Sequence, residues 1–161
     1  MSKSIFPTMM RAVGLGVVSG MRSVMGPAFA SQYANRYPSR QLNGSPLGFM
    51  QKENVMRGLQ TITAGELVAD KVPGVLDRIS PGGLVGRAAA GGLAGATVYQ
   101  SGGDKAWRGA LIGAVAAIAA SYAFFYLRKY AGKKYNLKDA FAGGVEDVLA
   151  VGLGVGATAR K

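Results

Sequence analysis

The chain has no cysteine and no histidine among its 161 residues. This absence excludes thiolate and imidazole metal sites, disulfide frameworks, histidine-ligated haem and nucleophilic catalysis with a histidine base. Most familiar enzyme reactions need one of these groups. We therefore expect no enzymatic activity, no metal site and no cofactor.

Charged residues are also scarce, at 17% of the chain against 49% hydrophobic residues, and the mean hydropathy is +0.18. Small residues are abundant instead, with 25 glycines and 25 alanines. Small side chains within apolar stretches are typical of helices that pack closely in lipid. The composition predicts an all-α integral membrane protein made of a single domain, with the lipid bilayer as its main partner.

Basic residues outnumber acidic residues by 19 to 8, which gives a net charge of +11. They flank the apolar runs and do not form a stripe along one segment. No segment interleaves basic and aromatic residues as a base-stacking surface would. We expect no nucleic-acid partner and assign the basic charge to the ends of membrane spans.

The order of apolar runs predicts a bundle of four or five transmembrane helices. The candidate spans are residues 9–34, 58–72, 84–101, 107–128 and 139–159, and residues 35–57 form a polar loop. The second run is short and holds two acidic residues, so it either crosses the membrane fully or is re-entrant. For the first run, a signal peptide cleaved near Ala28-Phe29-Ala30 is the alternative to a retained span.

Five spans would place the two termini on opposite sides of the membrane. A small excess of basic residues on the N-terminal side favours an N-terminus inside the cell, with dual topology as the alternative. The first and second spans would match the fourth and fifth in the opposite direction. This pattern predicts an inverted repeat around the third helix.

Pairs of glycines four residues apart recur along the apolar runs, as in a glycine zipper. The pairs are Gly16 with Gly20, Gly91 with Gly95, Gly109 with Gly113, and Gly152 with Gly156. Each pair lies on one face of a helix, where a neighbouring backbone can approach closely. We expect these glycines to pack helices within the protomer, and the alternative is that at least one pair forms a homo-oligomer contact.

Ionisable residues lie inside the predicted spans, namely Arg22, Glu66, Asp70, Glu146 and Asp147. An ionised group at the centre of a bilayer costs roughly 2.5–3.5 kcal/mol on insertion scales. Arg22 is the internal counter-charge for the four carboxylates. The set is interpreted either as a static buried network or as a site for an ion, a proton or a polar solute.

The first run also contains a predicted helix break at Gly26 and Pro27. Proline cannot donate the backbone hydrogen bond of a continuous helix, and it disfavours helical geometry at the preceding residue. A broken helix beside a buried cation is an arrangement that carriers use to expose backbone groups to their cargo.

Four segments together resemble a known family. They are Gly20-Met21-Arg22-Ser23 with Pro27, the stretch from Glu66 to Pro73, Gly86-Arg87-Ala88, and Glu146-Asp147. They are similar to the small bacterial membrane proteins of domain-of-unknown-function family 4126, over roughly residues 12–156. The resemblance implies an integral membrane protein with several helices, and it implies no particular substrate, cofactor or reaction.

From these observations we expect a multi-pass protein of the bacterial inner membrane that is a homo-oligomer or a subunit of a membrane complex. We expect it to transport or bind a small ion, proton or polar solute at its acidic and arginine site. The competing hypothesis is a non-transporting accessory or assembly subunit of a larger membrane complex, or a protein that binds lipid or pigment in its grooves.

Overall fold

The computed structural model describes residues 5–69, 79–135 and 139–159. These residues form seven α-helices, one 3-10 helix and no strand, which confirms the all-α prediction. The elements are α1 (Ile5–Met21), α2 (Met25–Arg36), α3 (Arg40–Asn43), the 3-10 helix (Pro46–Gln51), α4 (Glu53–Ala69), α5 (Pro81–Ser101), α6 (Ala106–Tyr135) and α7 (Asp139–Thr158).

Helices α1 and α2 form an antiparallel hairpin. The chain turns back at residues 22–24, and Gly26 at the start of α2 lies against Ser19 and the Leu15 carbonyl of α1. Further from the turn, the Arg11 guanidinium donates a hydrogen bond to the Tyr33 hydroxyl. The prediction of one span over residues 9–34 is therefore corrected, because the second half of that run returns along the first.

Helix α1 is a largely buried helix of the bundle and contacts α2, α5, α6 and α7. Helix α6 packs on α1 and α5 over glycines. A Cβ on Gly16 would lie 2.5 Å from the Gly113 carbonyl oxygen, and a Cβ on Gly20 would meet Ala117 and Ala120, so α1 and α6 run parallel. A Cβ on Gly91 would also lie 2.5 Å from that carbonyl oxygen. The absence of side chains at these positions lets the backbones approach.

The remaining long helices pack on the α1–α2 hairpin. Helix α7 runs antiparallel to α1, since Gly14 contacts Ala157 near one end and Arg22 pairs with Asp147 further along. Helix α4 runs antiparallel to α2, with its residue Glu66 beside the turn of the hairpin. We call the end that holds the start of α1 and the end of α7 the lower end, and the end that holds the last turns of α6 the upper end.

Two topological predictions are wrong. The described chain begins and ends at the same end of the bundle, where Arg11 Nη2 donates a hydrogen bond to the Ala159 carbonyl at 3.5 Å. The predicted inverted repeat requires the first and fourth spans to run in opposite directions, but α1 and α6 run parallel. The physical reason is the hairpin, which adds one reversal of direction that the five-span reading lacks.

The predicted polar loop at residues 35–57 is largely helical at the lower end. It contains α3, the 3-10 helix and the first turn of α4. The 3-10 helix is held against α2 because the Ser31 hydroxyl donates to the Met50 carbonyl at 2.7 Å, and the Asn35 side chain donates to the Gln51 carbonyl at 3.0 Å. This segment covers the open end of the hairpin.

On α7 the glycine prediction is corrected. A Cβ on Gly152 or Gly156 would meet no atom of the described chain within 4 Å, so neither residue packs helices within the protomer. The close contact is made by Gly154, on which a Cβ would collide with the ring of Phe29. Residues 152 and 156 lie on the outward face of α7, whereas residue 154 is half a turn away and faces α2.

Many large apolar side chains are exposed, while the interior combines small residues with a few large ones such as Leu15, Met21 and Met50. On α6 and α7 the exposed set includes Trp107, Leu111, Val115, Tyr126, Phe141, Val148 and Val155. The buried polar residues include Ser19, Ser31, Thr97 and Ser121, and each donates a hydrogen bond to a backbone carbonyl. Within the described residues, Ala106–Lys134 and Phe141–Thr158 are long and apolar enough to cross a membrane.

Candidate functional site

The turn between α1 and α2 carries a buried arginine. The backbone of Arg22 closes the last turn of α1, and its side chain is only 4% exposed. Arg22 Nε donates to Asp147 Oδ1 at 2.7 Å, and Nη2 donates to the same oxygen. Hydrogen bonds between two charged groups are about twice as strong as those between neutral groups. The ion pair therefore ties the tip of the hairpin to α7.

The first backbone groups after the turn are bound by a carboxylate from another helix. Glu66 Oε1 accepts from the Ser23 hydroxyl at 2.6 Å and from the Ser23 N–H at 3.2 Å, and Oε2 accepts from the Val24 N–H at 3.3 Å. The side chain of Val24, the residue before α2, makes no capping bond. Glu66 therefore satisfies donors that a helix start leaves unpaired, and its charge complements the positive end of the α2 dipole.

A second ion pair lies next to the first along α7. Glu146 precedes Asp147, and its nearly buried carboxylate accepts from Arg128 Nη2 of α6 at 2.5 Å. Adjacent residues on a helix point in different directions, so Asp147 reaches α1 while Glu146 reaches α6. The two acidic residues thus connect α7 to both neighbours.

The depth of the site follows from the register of the helices. Gly16 faces Gly113 and Gly20 faces Ala117, so Arg22 is level with about residue 119 of α6. Residues 109–127 of α6 carry no charge and measure about 28 Å at 1.5 Å per residue, close to the thickness of a hydrocarbon core. The turn and its charged groups lie near the middle of this uncharged length.

Four of the five predicted site residues lie in the described part of the chain. Arg22, Glu66 and Asp147 meet around one turn of the chain, with Glu146 beside them. Asp70 lies outside the described residues. Ser23 and Arg128 were missed. The serine follows a residue that was singled out and could have been found as a capping partner, whereas Arg128 looked like a flanking charge.

The predicted break at Gly26 and Pro27 is displaced by a few residues. The interruption is at residues 22–24, and Pro27 is the third residue of α2. A proline in the first turn of a helix removes a donor that has no partner within the helix. Gly26 is required for packing, because a Cβ there would lie 2.7 Å from the Leu15 carbonyl oxygen.

The polar groups of the site are carboxylates, guanidinium groups, a hydroxyl and backbone N–H groups. Over residues 5–69, 79–135 and 139–159, no three acidic side chains lie close enough together to hold a metal ion. The carboxylates lie in separate directions, two of them against guanidinium groups. The arrangement suits single charges or protons better than a multidentate cation cage.

The architecture and site define a class of helical protein in which paired charges lie inside and large apolar side chains lie outside. The chain belongs to the DUF4126 family, a domain of unknown function, whose model matches residues 9–159. This match confirms the family resemblance of the sequence. Searches of curated proteins and of solved structures found no significant match.

Proposed function

We propose that the protein is an integral membrane protein in which α5, α6 and α7 cross the bilayer and the α1–α2 hairpin enters it halfway. The support is the distribution of side chains. Soluble monomers rarely expose apolar patches of more than a few hundred Å², yet α6 and α7 expose large side chains along most of their length. A turn inside a membrane is tolerated where protein groups satisfy its backbone, as Glu66 does here.

The protein is expected to remain in the membrane pellet after extraction with alkaline carbonate and to need detergent for solubilisation. Removing α6 and α7 from lipid would expose their apolar faces to water. Fractionation followed by immunoblotting measures this. Recovery of a folded, monodisperse protein in buffer without detergent would contradict the membrane assignment.

We further propose that the site binds and moves a proton, a small ion or a small polar solute. The observation that carries this is the position of Glu66 at the tip of the hairpin, near the middle of the uncharged length of α6. Arg22 neutralises Asp147 and Arg128 pairs with Glu146. Among the described residues, Glu66 accepts hydrogen bonds only from uncharged donors. Its negative charge is therefore the one that a proton or cation would neutralise.

Release of Glu66 would change the shape of the site. When a proton or cation binds this carboxylate, its hydrogen bonds to the Ser23 and Val24 N–H groups weaken, because a neutralised carboxylate is a poorer acceptor. The tip of the hairpin is then free to separate from α4. Binding at Glu66 would in this way move the hairpin tip relative to α4, while the ion pair of Arg22 with Asp147 keeps the tip attached to α7.

In proteoliposomes, Glu66→Gln is expected to lower flux at least tenfold, because the amide keeps the shape of the side chain but cannot exchange a proton or balance a cation. The probes are a pH-sensitive dye inside the vesicles and imposed gradients of H⁺, Na⁺ and K⁺. Asp147→Asn is expected to lower flux as well, through loss of the anchor for Arg22.

The matched control for this test is Glu53→Gln on the same helix. Glu53 pairs with Arg57 on the exposed surface of α4, with 59% of its side chain accessible, and lies far from the turn. This variant is expected to keep wild-type flux. Equal flux in the wild type, Glu66→Gln and Glu53→Gln would refute a role of Glu66 in transport.

A second candidate is a non-transporting subunit that associates with itself or with a larger membrane complex. The favouring observation is the outward face of α7, where Gly152 and Gly156 lie open beside exposed Val148 and Val155. Such a small-residue face permits close approach of another helix in lipid. A native protein that conducts none of the three probes would favour this candidate.

A further inference from the structure

A groove of about 220 Å³ lies between α2, α4 and α7, directly below the turn of the hairpin. Its walls are partly apolar, with Met25, Phe29 and Leu67 among them. Three uncharged polar residues, Gln32, Gln60 and Thr63, also line it. The groove is therefore amphipathic, although it lies among membrane-embedded helices.

The polar residues of α4 lead toward Glu66. Thr63 is three residues before Glu66 and Gln60 is three residues before Thr63, so each residue of the series is a neighbour of the next on the surface of α4. At 1.5 Å per residue, Thr63 is about 4.5 Å and Gln60 about 9 Å below Glu66. Gln32 of α2 lines the opposite wall. Glu66 itself does not line the groove, but the lining residues Thr63 and Leu67 flank it along α4. The polar series therefore rises from the lower end to a point next to the carboxylate.

Whether water or lipid fills the groove depends on how deep its polar residues lie in the membrane. The exposed ion pair of Glu53 with Arg57 indicates where α4 reaches water, and Arg57 is about 13.5 Å below Glu66 at 1.5 Å per residue. Gln60 and Thr63 are thus within the hydrocarbon depth. Gln32 and Gln60 are both exposed at the groove, and Thr63 is half-buried. An amide without a polar partner in hydrocarbon costs several kcal/mol, so at the membrane depth proposed above these exposed amides require water.

We propose that this groove is a water-filled entry from the lower end to Glu66, occupied by water together with a proton or a small cation rather than by a lipid chain. Its volume has room for several waters. None of the described residues that line it is basic, so they do not repel a cation on its way to the Glu66 carboxylate. The identity of the cargo rests on the transport function proposed above, whereas the hydration of the groove rests only on the membrane placement proposed above.

The absence of native cysteine allows a direct test by single-cysteine labelling. Thr63→Cys and Gln60→Cys introduce thiols in the groove, and Ile62→Cys introduces one at similar depth on the outer face of α4, where Ile62 is 56% exposed. A charged, membrane-impermeant methanethiosulfonate is present on both sides of proteoliposomes. A thiol in lipid stays protonated and does not react, whereas a thiol in water forms the reactive thiolate.

The groove thiols are expected to react at least tenfold faster than Cys at position 62. Groove thiols that react as slowly as that control, or that react only with a membrane-permeant apolar maleimide, would overturn the proposal in favour of a lipid-filled groove. Gln60→Cys serves as the second variant if Thr63→Cys fails to fold. Fast labelling together with unchanged flux in Glu66→Gln would keep the hydrated groove and reject the transport function.

Discussion

Replacing Arg22 by methionine is expected to destabilise the folded protein by about 3–5 kcal/mol, a loss typical of breaking one side of a buried ion pair. The guanidinium is almost fully buried and donates twice to Asp147. Without it, the Asp147 carboxylate, whose side chain is 24% exposed, loses its counter-charge, and the hairpin tip loses its bond to α7. Methionine is of similar length, so lost packing contributes little.

The measurement is reversible unfolding in mixed detergent micelles, with Arg57→Met as the matched control. Arg57 also pairs with a glutamate, but 71% of its side chain is exposed, and exposed pairs within a helix contribute only about 0.3–0.5 kcal/mol. The double variant Arg22→Met with Asp147→Leu is expected to recover part of the loss, because it removes the unpaired charge. Equal losses in Arg22→Met and Arg57→Met would show that the Arg22 pair does not hold the hairpin.

The residues of this site could be predicted because charge inside an apolar run is visible in the sequence. Arg22, Glu66 and Asp147 each lie in such a run, and the cost of burying them suggests that they meet. Their partners were harder to predict. Glu66 binds backbone N–H groups at the turn, and such a contact depends on where the chain interrupts its helix.

The direction of the chain after that interruption could not be predicted. Pro27 and the glycines indicate a break near residue 26, but a kinked span and a hairpin have the same apolar pattern. What separates them is the contact of Gly26 with Leu15 and Ser19, which is a tertiary contact. Arg128 was hidden for a related reason, because α6 continues to Tyr135 and a residue that looked like a flanking charge is part of the helix.

Gly91→Ala is expected to lower stability by about 1–3 kcal/mol, the usual loss when a well-packed interior is overfilled. The new Cβ would lie 2.5 Å from the Gly113 carbonyl oxygen and 2.7 Å from the Ala117 Cβ, both on α6. Because one of these atoms belongs to the backbone, a change of rotamer cannot relieve the clash, and α5 must move away from α6. Gly91→Val is expected to lower the stability further, because its side chain is larger. Unfolding in micelles measures both variants.

Gly152→Ala is the matched control, since it makes the same change in another apolar helix where a Cβ meets no described atom within 4 Å. Alanine favours a helix over glycine by roughly 0.5–1 kcal/mol, so this variant is expected to be neutral or slightly more stable. Because the two variants are expected to change the free energy of unfolding in opposite directions, the comparison separates a steric clash from a general effect of removing glycine. If Gly91→Ala instead stabilises the protein as Gly152→Ala does, then α5 and α6 are not in backbone contact at this position, and the close packing of these two helices over glycines loses its support.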